Sequence, residues 1–297
     1  MCLQGIAGCW RVSVVDLAGA NSRGAGNGRG ESWAISSGGS SNVTGIQEET
    51  LRGFAIGLTH VGRVREQNED TYFVDEQKGV FAVMDGAGGL CDGAMASGLV
   101  REALTSLTNP RSGEDLLEQF ESRLIVAKDR IERASESADG APMGTTIAAL
   151  LTFKRNFACL WAGDSRVYRL RDSRLEQLTT DHTEAQELVD QNVLTVEEAR
   201  TFARRHVITR AIGSGLDLEL ELVSGNLRPG DRFLLCSDGL TGHLEDPVIG
   251  TFLMNGASRL AAQSLINGAL EEGGSDNVTV VIVDIDRQTG AEGTFNR

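Results

Sequence analysis

The amino-acid sequence predicts an α+β sandwich: two packed β-sheets with helices outside them. Two observations predict it. Four short apolar runs rich in Val, Ile and Phe, bounded by Gly and Asp, lie far apart in the chain, as buried strands do. Between them lie long stretches with apolar residues at three- and four-residue spacing, the period of a helix with one buried face. Strands from distant segments, with helices between them, are covered most simply as stacked sheets under helical layers.

In chain order, residues 1–49 come first. They hold ten glycines and two serine-rich patches, the second being SSGGSSN, and show no sustained periodicity. Most of this segment is expected to be a disordered extension, with Trp10, Trp33, Cys2 and Cys9 available for a short docking element. The texture changes at residue 54, and a single domain is expected over residues 50–290, followed by a tail at 291–297. Val80–Met84 is an apolar run that ends at Asp85, and Phe157–Ala162 is another that precedes Gly163-Asp164. Phe233–Cys236 precedes Ser237-Asp238-Gly239, whereas Val278–Val283 follows Asp276-Asn277. Helices are expected at Ala94–Leu107, at Glu114–Ser135, and at Val248–Leu270 entered through Pro247. A charged, helix-like stretch, Asp181–Ile212, carries an apolar face of Leu188, Val189, Val193, Leu194 and Phe202. In it Thr195 reads as an N-cap with Glu198 in capping-box position.

With 297 residues, 40% of them hydrophobic, the chain can bury a sizeable core. A net charge of −14 argues against a nucleic-acid partner, which needs a basic face. No run approaches the ~20 apolar residues of a membrane span, and no secretory signal is visible. A cytoplasmic monomer is the expectation. The five cysteines (2, 9, 91, 159 and 236) form no CxxC pair and read as reduced thiols, Cys236 as a core one.

Four strand-end aspartates carry the chemical signal: Asp85, Asp164, Asp238 and Asp276. Singly, each reads as a turn residue, because Asp-Gly and Asp-Asn are ordinary turn dipeptides. Four in one chain, three of them flanked by Gly, point instead to a bound cation, since a buried carboxylate needs a counter-charge or several donors. The four histidines (60, 182, 206 and 243) lack zinc-ligand spacing. An all-oxygen site suits Mg2+ or Mn2+. Two such ions about 3.5–4 Å apart can clamp the oxygens of a phosphoryl transfer. In GRVREQNED, Arg65 reads either as a phosphate fork or as the partner of Glu69 in a surface salt bridge. Thr145 and Thr146 are expected to be buried hydroxyls satisfied by backbone, and His60 and His182 to be surface or turn residues. No cysteine is followed by an arginine at the Cys-x5-Arg spacing, and no lysine sits in Gly-Lys-Ser/Thr. Cysteine-dependent phosphatase and P-loop chemistries are thereby excluded.

GRVREQNED, MDGAGG, GTT, GDSRVY, CSDGL and SDNVTVV occur in this order between Gly62 and Val281. Together they resemble the PPM (protein phosphatase 2C type) family of metal-dependent serine/threonine phosphatases in its compact bacterial form, over roughly residues 54–286. The resemblance implies two central antiparallel sheets flanked by helices, with residues 181–212 as a flap beside two Mn2+ or Mg2+ ions. It implies that Asp85 bridges both ions and that Gly86 offers its carbonyl. Asp238 and Asp276 complete one shell, Glu69 acts through water, Asp164 joins a third, weaker ion, and Asp70 supports the ligands. Arg65 would hold the substrate phosphate while water activated between the ions attacks phosphorus directly. The implied partners are a phosphorylated protein substrate and a cognate serine/threonine kinase. Ala87 stands where bacterial relatives usually carry Met, and Leu90 where His is common, which leaves a metal-bound water as the general acid. A non-catalytic, pseudophosphatase reading would require loss of Asp85, Asp238 or Asp276, and all three are present.

Overall fold

The computed structural model describes residues 11–14, 50–87, 93–138, 143–213, 215 and 218–287. The chain begins with strands β1 (Arg11–Val14), β2 (Leu51–His60), β3 (Asp70–Asp75) and β4 (Val80–Ala87), then helices α1 (Gly93–Thr105) and α2 (Gly113–Ser137). There follow β5 (Gly144–Thr145), β6 (Ile147–Phe153), β7 (Asn156–Ala162), β8 (Arg166–Arg171) and β9 (Arg174–Gln177). Two short helices, α3 (Glu184–Asp190) and α4 (Val196–Thr201), precede β10 (Glu219–Asn226) and β11 (Arg232–Cys236). The chain closes with α5 (Asp238–Thr241), α6 (Asp246–Met254), α7 (Ser258–Glu271) and β12 (Val278–Arg287).

These strands form two sheets. One has the order β1-β10-β7-β6-β4-β3, with β5 on the end of β4; the other has the order β2-β12-β11-β8-β9. Neighbours are antiparallel except β1, which runs parallel to β10. The layers explain why the strand sequences are continuously apolar rather than alternating. On β4, Phe81 and Val83 face the second sheet, among Trp161, Phe233, Val281 and Val283. Val80, Ala82 and Met84 pack with Val100, Leu116 and Phe120 of α1 and α2. On β12, Val278, Val280 and Ile282 lie under α6 and α7 with Ile249 and Leu265. Full burial of such side chains contributes about 1.5–3 kcal/mol each, so both central sheets are fixed from two sides.

Three expectations change. Residues 11–14 form a strand on the β10 edge rather than unstructured tail; the rest of 1–49, and the 291–297 tail, lie outside the described residues. The helix expected at 248–270 is broken into α6 and α7, because Gly256 takes a φ of 84°, a left-handed conformation that ends a helix. Between β9 and β10, α3 and α4 form as expected, with the Thr195/Glu198 capping box in place, but Val193, expected on their apolar face, is 62% exposed. Among the described residues no helix is long and apolar enough to cross a membrane.

Candidate functional site

The β3–β4 register sets Asp70 directly opposite Asp85, which puts both side chains on one face of the sheet. Asp85 is not quite at the strand end, because β4 continues to Ala87. Its backbone is fixed on both sides. Its N–H donates to Thr146 Oγ1 at 3.1 Å, and its carbonyl accepts from Thr146 N at 2.9 Å and from Thr145 Oγ1 at 2.9 Å. Thr146 Oγ1 also bonds Ser165 Oγ at 2.8 Å, which ties the Asp164 turn to Asp85. Both threonines are buried, as expected. Asp238 opens α5, directly after β11. Gly239 beside it has no room for a side chain: a Cβ would lie 1.9 Å from the Asn277 carbonyl oxygen. Gly86 is similarly cramped, with a Cβ falling 2.2 Å from Gly93 O and 2.7 Å from Glu69 O.

The loop of residues 61–69 is held by Asn277. Its side-chain amide donates to Val61 O at 2.8 Å and to Gln67 O at 2.9 Å, and its Oδ1 accepts from Glu69 N at 2.7 Å. Glu69 Oε1 then accepts from Gly93 N at the start of α1, at 3.1 Å, where the helix dipole favours a carboxylate. Arg65 does not pair with Glu69. Its Nη2 donates to Asp276 Oδ2 at 2.8 Å, with the Arg65 side chain 52% exposed. Ser237 links the two sheets: its Oγ donates to Asp70 Oδ2 at 2.7 Å and accepts from Thr279 N at 3.0 Å.

These placements concentrate negative charge. Burial pushes Asp85 well above the usual carboxylate range, and the charges of Asp70, Asp238 and Asp164 push it further. Asp164 is raised for the same first reason, then by Asp238 and Asp181. Asp238 is raised by burial and then by Asp276, while His206, in the turn after α4, acts in the opposite sense. Asp70 is pushed up to about 7 by burial, despite hydrogen bonds from Ser237 and Thr279. Asp181 accepts a two-pronged pair of hydrogen bonds from Arg166, at 2.8 and 2.7 Å.

Among the described residues no three His, Cys, Asp or Glu side chains close into a metal cage by themselves. What the cluster lacks is positive charge. Asp70 Oδ1 is buried without a hydrogen-bond partner. Asp85 also bears the unfavourable charges of Asp70, Asp238 and Asp164. A hard cation accepted by oxygens would relieve both conditions, so the residues present fit such a group.

The sequence-named residues Asp70, Asp85, Asp164, Asp238 and Asp276 act electrostatically on one another, and Glu69 and Arg65 lie on the loop beside them. Leu90 lies outside the described residues. His182, expected as a surface or turn residue, lies in the loop before α3 but is only 6% exposed. Ser237, Asn277 and Asp181 were not singled out from the sequence. Ser237 and Asn277 adjoin the site aspartates within CSDGL and SDNVTVV, and that adjacency was the available signal.

Residues 57–272 match the family model described as Protein phosphatase 2C. The chain belongs to the protein phosphatase 2C family. A relative named serine/threonine protein phosphatase PstP, from Mycobacterium tuberculosis, is 39% identical over 225 residues, covering 75% of this chain and 43% of its own length. This chain thus spans less than half of that relative. Serine/threonine phosphatase stp of Listeria welshimeri is 32% identical over 235 residues, covering 76% of this chain and 93% of that protein. Among solved structures, the catalytic domain of PstP in complex with two manganese ions superposes with a TM-score of 0.72 at 36% identity, covering 80% of this chain and all of that one. The two-sheet, helix-flanked architecture is therefore that of protein phosphatase 2C enzymes.

Proposed function

We propose that this chain is a metal-dependent phosphatase that hydrolyses phosphoserine and phosphothreonine on proteins. One observation carries the reading: five aspartates from separate segments act on one another at the ends of the two sheets, and burial and mutual repulsion raise Asp70, Asp85, Asp164 and Asp238. Two Mn2+ or Mg2+ ions are the proposed cofactors, and Asp85 and the Gly86 carbonyl would help to hold them. Asp238 and Asp276 would help to hold one ion, Glu69 would act on the second, and Asp164 would help to hold a third. Asp70 supports the set through Ser237. When bound, such ions supply Lewis-acid activation of water and neutralise charge on the phosphoryl group. The chain does the rest. Arg65, mostly exposed at the rim, exchanges its Asp276 partner for the substrate phosphate and orients it. The threonine and asparagine bonds hold Asp85 and the 61–69 loop in place, so little reorganisation accompanies the reaction.

The names of the relatives support a protein substrate, and we extend this to a cognate serine/threonine kinase as its source. A cytoplasmic monomer remains part of the same proposal, and size-exclusion chromatography tests the monomer. Nothing in the site favours the pseudophosphatase reading. The decisive test is hydrolysis of p-nitrophenyl phosphate and of a phosphothreonine peptide by the full chain, with Mn2+ or Mg2+ and with EDTA. Activity should need the metal, and Asp85→Asn should lower kcat by orders of magnitude. Full activity in EDTA, or an unaffected variant, would refute the proposal.

A further inference from the structure

Three of the four histidines lie outside the carboxylate cluster, and each treats a loop that enters it in the same way. Gly62 N donates to His60 Nδ1 at 2.9 Å, at the start of the loop that carries Arg65 and Glu69. Gly163 N donates to His182 Nδ1 at 3.2 Å, one residue before Asp164. Ser275 N donates to His243 Nε2 at 3.0 Å, one residue before Asp276. A backbone N–H can only donate, so each of these ring nitrogens is bare. We propose that His60, His182 and His243 are positioning residues for the metal site, each a neutral imidazole whose bare nitrogen fixes the backbone beside a ligand. The inference rests on the metal-site reading above.

The loops concerned need such a device. Each turns on glycine in the left-handed region: Gly62 at φ 84°, Gly163 at 109°, and Gly273 and Gly274 at 126° and 55°. Glycine has the most backbone freedom to lose on ordering, so an acceptor that selects one conformation matters most there.

Burial ranks the three. His182 is buried, and its ring stacks on Trp161 with centroids 6.0 Å apart and planes 14° apart. Its own N–H donates to Gly163 O at 2.9 Å, so it grips Gly163 by both backbone groups. With Nδ1 bare, Nε2 carries the proton and faces Glu221 Oε1 at 3.4 Å. Arg210 Nη1 lies 3.2 Å from the same Nε2, to which it makes no hydrogen bond while that nitrogen is protonated, and donates instead to the Glu221 carboxylate at 2.9 Å. A carboxylate on one nitrogen fixes the tautomer that leaves the other free. His243 is half-buried and also meets Ser275 Oγ at 3.0 Å. His60 is exposed, so water can replace it, and its effect should be the smallest.

The test is calorimetric titration of the full chain with Mn2+, alongside thermal unfolding. Wild type is compared with His182→Ala, His182→Asn, His243→Ala, His243→Gln and His60→Ala. Asn Oδ1 falls near the imidazole Nδ1 position and Gln Oε1 near Nε2, so these variants return the acceptor without the ring. The alanine variants at 182 and 243 should weaken Mn2+ binding about tenfold, the scale typical of groups that orient metal ligands. The Asn and Gln variants should recover most of that loss, and His60→Ala should change least. Alanine variants that bind like wild type would overturn the proposal, and so would Asn and Gln variants that lose as much as alanine. A wild-type chain that binds no Mn2+ would overturn the site reading and this inference with it.

Discussion

Replacing Asp70 with Asn should make the metal-free protein more stable. Asp70 rises from an ordinary 3.8 to about 7, burial being the main cause, which corresponds to about 4 kcal/mol against the ionised form above pH 7. The sign follows from proton counting. The folded state holds its Asp70 proton at pH values where the unfolded chain has released it, so stability falls as pH rises from about 4 to about 7. An Asn oxygen can still accept from Ser237, while the amide faces the negative charges of Asp238 and Asp276 that now repel Asp70. At pH 8 in EDTA the variant should melt roughly 5–15 °C above wild type, taking about 2–4 °C per kcal/mol for a domain of this size. At pH 5 the gap should shrink to about two-fifths, because wild-type Asp70 is then protonated in the folded state. Saturating Mn2+ should narrow it at pH 8 as well, by supplying the missing positive charge. Thermal unfolding by circular dichroism measures all three conditions. A variant no more stable than wild type at pH 8 in EDTA, or a gap indifferent to pH, would refute the reasoning.

Three further outcomes follow from the same geometry. Arg65→Ala should chiefly raise KM, because a phosphate is charged in both ground and transition states and its binding is largely uniform; steady-state kinetics with an unchanged KM and a collapsed kcat would contradict this. In the proposed flap, Arg204 is engaged with Glu184 at 2.5 Å, so exposed Arg205 is the cleaner probe. Arg205→Ala should alter turnover of a phosphoprotein but hardly that of p-nitrophenyl phosphate, and parallel losses on both would mean that the segment supports the core instead. Removing residues 1–49 takes away β1 and opens the β10 edge, yet four strand residues are little of the fold; activity should persist with a melting temperature only a few degrees lower, and a collapse in either would show that the segment is integral.

The sequence by itself determined the two-sheet, helix-flanked class, the starts of β4 and β12, the ends of β7 and β11, the helices α1 and α2, and the Thr195 cap. These depend on periodicity and turn chemistry within a few residues of one another. It also marked the aspartates, because a carboxylate after an apolar run is costly wherever the run ends up. The tertiary structure decided the rest. Ile147-Ala-Ala-Leu-Leu-Thr-Phe153 is rich in good helix formers, and it is a strand only because β4 and β7 pair with it on either side. Arg65 bonds Asp276 across 211 residues rather than Glu69 across four, because the loop held by Asn277 carries it there. Ser237 meets Asp70 across 167 residues, and His182 is buried against Trp161. Each of these contacts depends on which distant segments the two sheets bring together, and no local pattern of residues encodes that.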